Sequence, residues 1–165
     1  MKAAVIMGSD SDWAVMEPAV EILKEFGIET EIVVASAHRT PEKVHEFAKG
    51  AAGREVGVII AAAGAAAHLP GVVAAFTTLP VIGVPVNSTS LGGMDALLSI
   101  VQMPAGIPVA CMAINGAKNA GLFAVQILST ASPALQRKLK TYRKTMADQV
   151  EKKAQKLANK LQDKI

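Results

Sequence analysis

Three short segments concentrate the residue types that move protons and hold anions. Gly8-Ser9-Asp10-Ser11-Asp12 combines a turn-permitting glycine, two hydroxyls and two carboxylates. Hydroxyls and free N–H groups at a helix start form an anion site suited to phosphate. The two aspartates add acceptors for the hydroxyls of a ribose. Ser36-Ala37-His38-Arg39-Thr40 places an imidazole beside a guanidinium. Histidine exchanges a proton near neutral pH, and arginine offers a planar, permanently charged fork for phosphate or carboxylate. Gly64-Ala65-Ala66-Ala67-His68-Leu69-Pro70-Gly71 sets a second imidazole in a run of small residues, over which a flat ligand can approach backbone amides closely. His45 has charged neighbours at a helical position and reads as solvated surface. Metal-ligand spacing, a Walker A motif, a G-x-G-x-x-G turn and a serine nucleophile elbow are all missing. The available groups suit proton transfer on a phosphorylated small molecule, with no metal and no cofactor expected.

Something must hold those segments together. Apolar runs alternate with helical patterns along the chain. Strands are predicted at Lys2–Met7, Glu29–Ala35, Val56–Ala62, Val81–Val84 and Pro108–Ala113. Helices are predicted over Trp13–Phe26 with Ser11 or Asp12 as N-cap, from Thr40-Pro41 with Thr40 as N-cap, over Gly93–Met103 and over Ala117–Ser129. One long helix follows from Pro133. Strands alternating with helices mean βαβ units around a parallel sheet. From Val56 to Met94 the sequence has no Lys, Arg, Asp or Glu. Prolines, glycines, His68 and Asn87 interrupt this stretch, so it reads as strands buried on both faces rather than as a membrane span. In such sheets ligands bind beyond the carboxyl ends of the strands, and all three segments above follow predicted strands.

Composition sets the limits. The 165 residues are 51% hydrophobic and 19% charged, with mean hydropathy +0.34. That is too apolar for intrinsic disorder, and the length suits one domain. The single cysteine, Cys111, excludes a disulfide framework and reads as a core residue. Residues 136–165 carry ten Lys/Arg against three Asp/Glu, a balance of +7, while the first 135 residues stand at −4. The tail reads as a helix covering a neighbour through Leu135, Leu139, Met146, Val150, Leu157 and Leu161. Nucleic-acid binding is the weaker reading, since the tail has little aromatic interleaving. The expected organisation is a catalytic domain over 1–130 and a helical extension over 131–165, packed on the same or a neighbouring subunit. No targeting segment is evident, so a cytoplasmic protein without membrane or nucleic-acid partners is expected.

Taken together, Gly8-Ser9-Asp10-Ser11-Asp12, Ser36-Ala37-His38-Arg39-Thr40-Pro41, Ala66-Ala67-His68-Leu69-Pro70-Gly71 and Ser99-Ile100-Val101-Gln102-Met103-Pro104 resemble the bacterial N5-carboxyaminoimidazole ribonucleotide mutase family. The resemblance implies a flavodoxin-like three-layer α/β sandwich with a five-stranded parallel sheet and a long C-terminal helix. It also implies a homo-octamer acting on a nucleotide. The implied reaction converts N5-carboxyaminoimidazole ribonucleotide to 4-carboxy-5-aminoimidazole ribonucleotide by decarboxylation and recarboxylation. In that reading His38 is the general acid/base and His68 shapes the carbon dioxide pocket. Ser9, Asp12 and Arg39 contact the nucleotide, with Gly8, Ser11, Ser36, Ala63, Gly64 and Leu69 also in the substrate site. The family usually has glycine where this chain has Ala62 and Ala65, a departure expected to reshape the third segment. Arg39 and His68-Leu69-Pro70-Gly71 align the chain with the mutase rather than with the related branch that takes free carbon dioxide. The reading from another class is a non-catalytic flavodoxin-like nucleotide-binding module.

Overall fold

The computed structural model describes residues 2–162. Among them, five strands form one parallel sheet: β1 (Lys2–Met7), β2 (Glu29–Val34), β3 (Val56–Gly64), β4 (Val81–Val86) and β5 (Ala110–Cys111). Six helices accompany them: α1 (Trp13–Glu25), α2 (Pro41–Gly50), α3 (Leu69–Ala75), α4 (Met94–Val101), α5 (Ala117–Ser129) and α6 (Pro133–Gln162). The strand order β2-β1-β3-β4-β5 is that of flavodoxin-like sheets. The chain divides after Leu128 into two compact units. The second consists mainly of α6, whose Met146, Val150, Leu157 and Leu161 are exposed. The last three residues of the extension expected over 131–165 lie outside the described residues, as does Met1 at the other end.

Alternation along the strands builds a core on each face of the sheet. Ala4 and Ile6 of β1 and Ile59, Ala61 and Ala63 of β3 pack with Val44, Phe47 and Ala48 of α2, Val73 of α3 and Ile100 of α4. The opposite-facing Val5, Val58, Ile60 and Ala62 are equally buried. Both faces are therefore covered, which accounts for the charge-free stretch. All six residues of β4 are buried. No described helix is long and apolar enough to cross a membrane.

Two elements differ from the sequence expectation. The segment after His68 is not loop: it enters α3 directly. Pro70-Gly71 suggests a break, but Pro70 occupies the first turn, where N–H groups have no intrahelical acceptor and proline costs nothing. The fifth strand shrinks to Ala110–Cys111 because only Ile82 and Gly83 of β4 pair with it. Cys111 is half-buried rather than enclosed, and its thiol donates to the Met112 carbonyl oxygen at 3.4 Å. Burial pushes that thiol's pKa up. His45 is half-buried too, its ring edge-on to Phe76 at a centroid distance of 4.5 Å.

A glycine sets how closely α1 and α5 approach. A Cβ on Gly121 would lie 2.8 Å from the Ala19 carbonyl oxygen and 3.1 Å from its Cα. Both are backbone atoms and cannot rotate away. Alanine gains about 0.5–1 kcal/mol over glycine from helix propensity, whereas overpacking costs about 1–3 kcal/mol. Gly121→Ala is therefore expected to destabilise the protein by about 1–2 kcal/mol, read as a lower urea midpoint. A raised midpoint would show that the two helices yield.

Candidate active site

All three predicted segments, plus one more, line a single cleft of about 320 Å³ at the carboxyl end of the sheet. They leave β1, β2 and β3, and the fourth leaves β4. The cleft opens where β1 and β3 lie side by side, the point from which the chain order runs in opposite directions. Gly8, Ser9, Ser11 and Asp12 contribute from the first segment, Ser36, His38 and Arg39 from the second, and Ala63, Gly64, His68 and Leu69 from the third. Ala37, Ala66 and Ser88 line it as well; sequence reasoning did not single these out.

The first segment is a capping box. Ser9 precedes a 3-10 turn, Asp10–Asp12, and its Oγ accepts the Ser11 N–H at 3.3 Å. The Ser9 N–H in turn donates to Asp12 Oδ2 at 3.2 Å. The expected supply of free N–H groups is thus corrected, because those of Ser9, Ser11 and Asp12 all have acceptors inside the turn. The hydroxyls are engaged as well, Ser9 Oγ donating to Asp10 Oδ1 at 3.1 Å and Ser11 Oγ to Ser9 Oγ at 2.9 Å, which leaves the Arg39 guanidinium as the main donor facing this turn. The side chain of Asp12 turns back to Ser9 and makes no cap bond to α1. It is only 7% exposed. Burial raises its pKa above the ordinary 3.8, helped by Asp10 and opposed by the Ser9 N–H and Arg39.

The second segment is clamped by its ends. The Ser36 N–H donates to Thr40 Oγ1 at 2.9 Å, and that hydroxyl donates to the Ser36 carbonyl oxygen at 3.2 Å. Thr40 therefore closes the loop instead of capping α2, which starts with Pro41 at its first position. The Arg39 N–H donates to Ser36 Oγ at 3.3 Å. From this clamp the Arg39 guanidinium reaches across to the Gly8 carbonyl oxygen at 3.1 Å. One Nη2 hydrogen bond leaves the rest of the fork available to an anion.

The third segment carries strain next to chemistry. Ala65 sits at φ +52°, a region that favours glycine, and the His68 N–H donates back to the Ala66 carbonyl oxygen at 2.8 Å. Ala62, the other departure, is fully buried in β3. The turn points His68 at His38: Nε2 of His38 lies 2.8 Å from Nδ1 of His68, with the rings perpendicular. One proton fits between two nitrogens at that distance. In a neutral pair, the ring that donates it has a bare outer nitrogen, and the ring that accepts it carries its hydrogen outside. The pair therefore offers one base and one acid at once, and the roles exchange when the bare nitrogen takes up a proton, the shared proton crosses and the other ring releases its outer one.

Comparison with known proteins follows the same outline. The family model for AIR carboxylase matches residues 2–149. The chain belongs to the AIR carboxylase family. Among curated members, the N5-carboxyaminoimidazole ribonucleotide mutase of Thermotoga maritima is 57% identical over 156 residues, covering 94% of this chain and 91% of the relative. The Mycobacterium tuberculosis mutase is 56% identical over 163 residues, covering 97% and 94%, and the Aquifex aeolicus mutase is 62% identical over 135 residues, covering 82% and 81%. Among solved structures, the crystal structure of Treponema denticola PurE aligns with a TM-score of 0.86 at 33% identity, over 94% of this chain and 97% of that one. The expected fold, a five-stranded parallel sheet between helices with a long C-terminal helix, is thus present in this chain and matched by a solved structure.

Burial of Asp12 has a testable sign. A folded state that holds this proton more tightly than the unfolded chain loses stability as pH rises from 3.8 through the raised value, and the loss is complete above it. Asp12→Asn keeps an acceptor for the Ser9 N–H and carries no charge. It is expected to match or exceed the wild-type urea midpoint at pH 7, to lose that advantage below the ordinary carboxyl range, and to bind nucleotide more weakly. A variant clearly less stable than wild type at pH 7 would contradict the burial account.

Proposed function

We propose that this protein converts N5-carboxyaminoimidazole ribonucleotide to 4-carboxy-5-aminoimidazole ribonucleotide. The observation that carries the reading is the His38–His68 contact inside a cleft that also holds Arg39 and the first-segment hydroxyls. High identity to relatives named as this mutase supports it.

The chemistry follows from the substrate and these groups. Protonation of the carbamate nitrogen breaks its bond to the carboxyl carbon and releases carbon dioxide; the bond's electron pair stays on nitrogen. The adjacent ring carbon C4, an enamine-type nucleophile, then forms a bond to the trapped carbon dioxide and gives up its proton. One proton enters and one leaves, so no co-reactant is consumed. His38 gives the first and takes the second, and His68 supplies the complementary partner nitrogen. Arg39, Ser9 and Ser11 hold the phosphate, and Asp12 receives the ribose hydroxyls. Ser36 braces Arg39, while Gly8, Ala63, Gly64 and Leu69 shape the walls. Binding the remote phosphate fixes the ring against the imidazoles, and confinement of the carbon dioxide gives the high effective concentration that its recapture needs.

The same reading places the enzyme in the cytoplasm as a homo-octamer, with the basic α6 serving assembly rather than nucleic-acid binding. Exposed apolar residues along α4 (Met94, Leu98, Val101) and along α6 support association.

His38→Asn is expected to lower kcat by about 10²–10⁴-fold, the usual worth of a general acid/base, while nucleotide affinity changes only a few-fold. Retained turnover would remove His38 from the mechanism. Arg39→Ala is expected to weaken nucleotide binding by about tenfold or more, in line with about 1.5–3 kcal/mol for a charged hydrogen bond; an unchanged dissociation constant from calorimetry would refute the phosphate role. Turnover of the wild type that required added bicarbonate would mark direct carboxylation of aminoimidazole ribonucleotide instead.

A further inference from the structure

Ser88 stands apart from the segments described so far. It follows β4, one strand beyond β3, and lines the cleft. Along the sheet edge the order of strand ends runs β2, β1, β3, β4. Arg39 comes from the β2 end and leans over the β1 loop to Gly8. The His38–His68 contact spans the β2 and β3 loops. Ser88 therefore stands across β3 from the phosphate-binding groups, on the far side of the imidazoles. With neighbouring strands about 4.8 Å apart, the β1 and β4 ends are separated by about 10 Å.

Its neighbours hold it in place. The Asn87 N–H donates to Asn115 Oδ1 at 2.9 Å. Thr89 Oγ1 donates to Asp95 Oδ2 at 2.8 Å. Asn115 sits at φ +56° with its own N–H on the Pro85 carbonyl oxygen. Ser88 thus lies between two fixed residues, yet its hydroxyl has no hydrogen-bond partner among the described residues. The wall beside it is cut to fit: a Cβ on Gly64 would collide with the Ser88 hydroxyl and lie 2.9 Å from its Cβ. Ser88 is exposed, its backbone is flanked by anchored neighbours, and a hydroxyl that lines a cleft without a protein partner is available to a ligand atom.

We propose that Ser88 binds the migrating carboxyl group, donating its hydroxyl hydrogen to a carboxylate oxygen. This rests on the mutase reading above. With the phosphate held by Arg39 and the ring against the imidazoles, the heterocycle edge away from the phosphate faces the β4 end. Carbon dioxide is neutral, and its oxygens gain charge only as the bond to C4 forms. A donor placed there stabilises the bond-forming transition state more than the free gas. It also keeps the freed molecule next to C4. Ser88 touches the group that reacts but takes no proton in the net step.

The test is a partition measurement on the full chain. N5-carboxyaminoimidazole ribonucleotide is mixed with enzyme in ¹³C-bicarbonate buffer, and both the label in the product and the aminoimidazole ribonucleotide released are quantified. Wild type is expected to form product with little label. Ser88→Ala is expected to lower kcat by about 10- to 100-fold, with an unchanged nucleotide KM, more aminoimidazole ribonucleotide and more label. Ser88→Thr, which retains a hydroxyl, restores the partition. Asn115→Gly keeps the Ser88 hydroxyl but removes the anchor of its neighbour Asn87, and it is expected to leak in the same direction. Ser88→Ala with wild-type rate and partition overturns the assignment, as does a raised KM with an unchanged partition, which would make Ser88 a nucleotide contact. A folded wild type that fails to convert the substrate defeats the mutase reading itself, an outcome separate from either.

Discussion

A parallel strand covered on both faces has no room for a charge, and β3 and β4 carry none. Desolvating an unpaired ion costs several kcal/mol, so the groups that could bind or react are displaced to the strand ends. Because every strand runs in the same direction, the loops leaving them all emerge on one edge. The side-by-side placement of β1 and β3 then brings residues from distant parts of the sequence around one opening. The cleft is thus a consequence of the core: the more completely the sheet is buried, the more its polar residues must gather at that edge.

Within the cleft, position is maintained by short local devices. A threonine hydroxyl closes the loop under His38, and a left-handed alanine precedes the turn that carries His68. A capping box fixes the first segment. Each device spends the polar groups of its own segment, hydroxyls included, leaving mainly the imidazoles and a guanidinium to face the opening. Holding Ala at φ +52° costs about 1–2 kcal/mol, a typical scale for strain kept next to a functional residue.

Much of this arrangement was legible in the residues themselves. Alternating apolar runs located the strands, and Gly, Pro and hydroxyl residues marked the breaks; β1 and α5 fall at the expected residues. His38, Arg39, His68 and the first segment announced themselves by chemical type after a strand. What escaped was tertiary in origin. Pro70 and Gly71 look like helix breakers unless the helix is known to begin at Leu69. The length of β5 depends on how much of β4 faces it. Amides at a helix start look free until a side chain returns to them, as Asp12 does to Ser9. Ser88 sits in an ordinary Ser/Thr loop and gains meaning only from Gly64, a neighbour across the sheet. The contact between His38 and His68 joins residues thirty apart in sequence, a distance that periodicity does not bridge.

Cys111 has a quieter consequence. Its thiol bonds to the Met112 carbonyl oxygen, and burial keeps it protonated, a state in which sulfur is a poor nucleophile. Among the described residues, no cysteine or methionine lines the cleft. A thiol held in its protonated form meets peroxide slowly, so oxidation at Cys111 waits on a loosening of the packing around it.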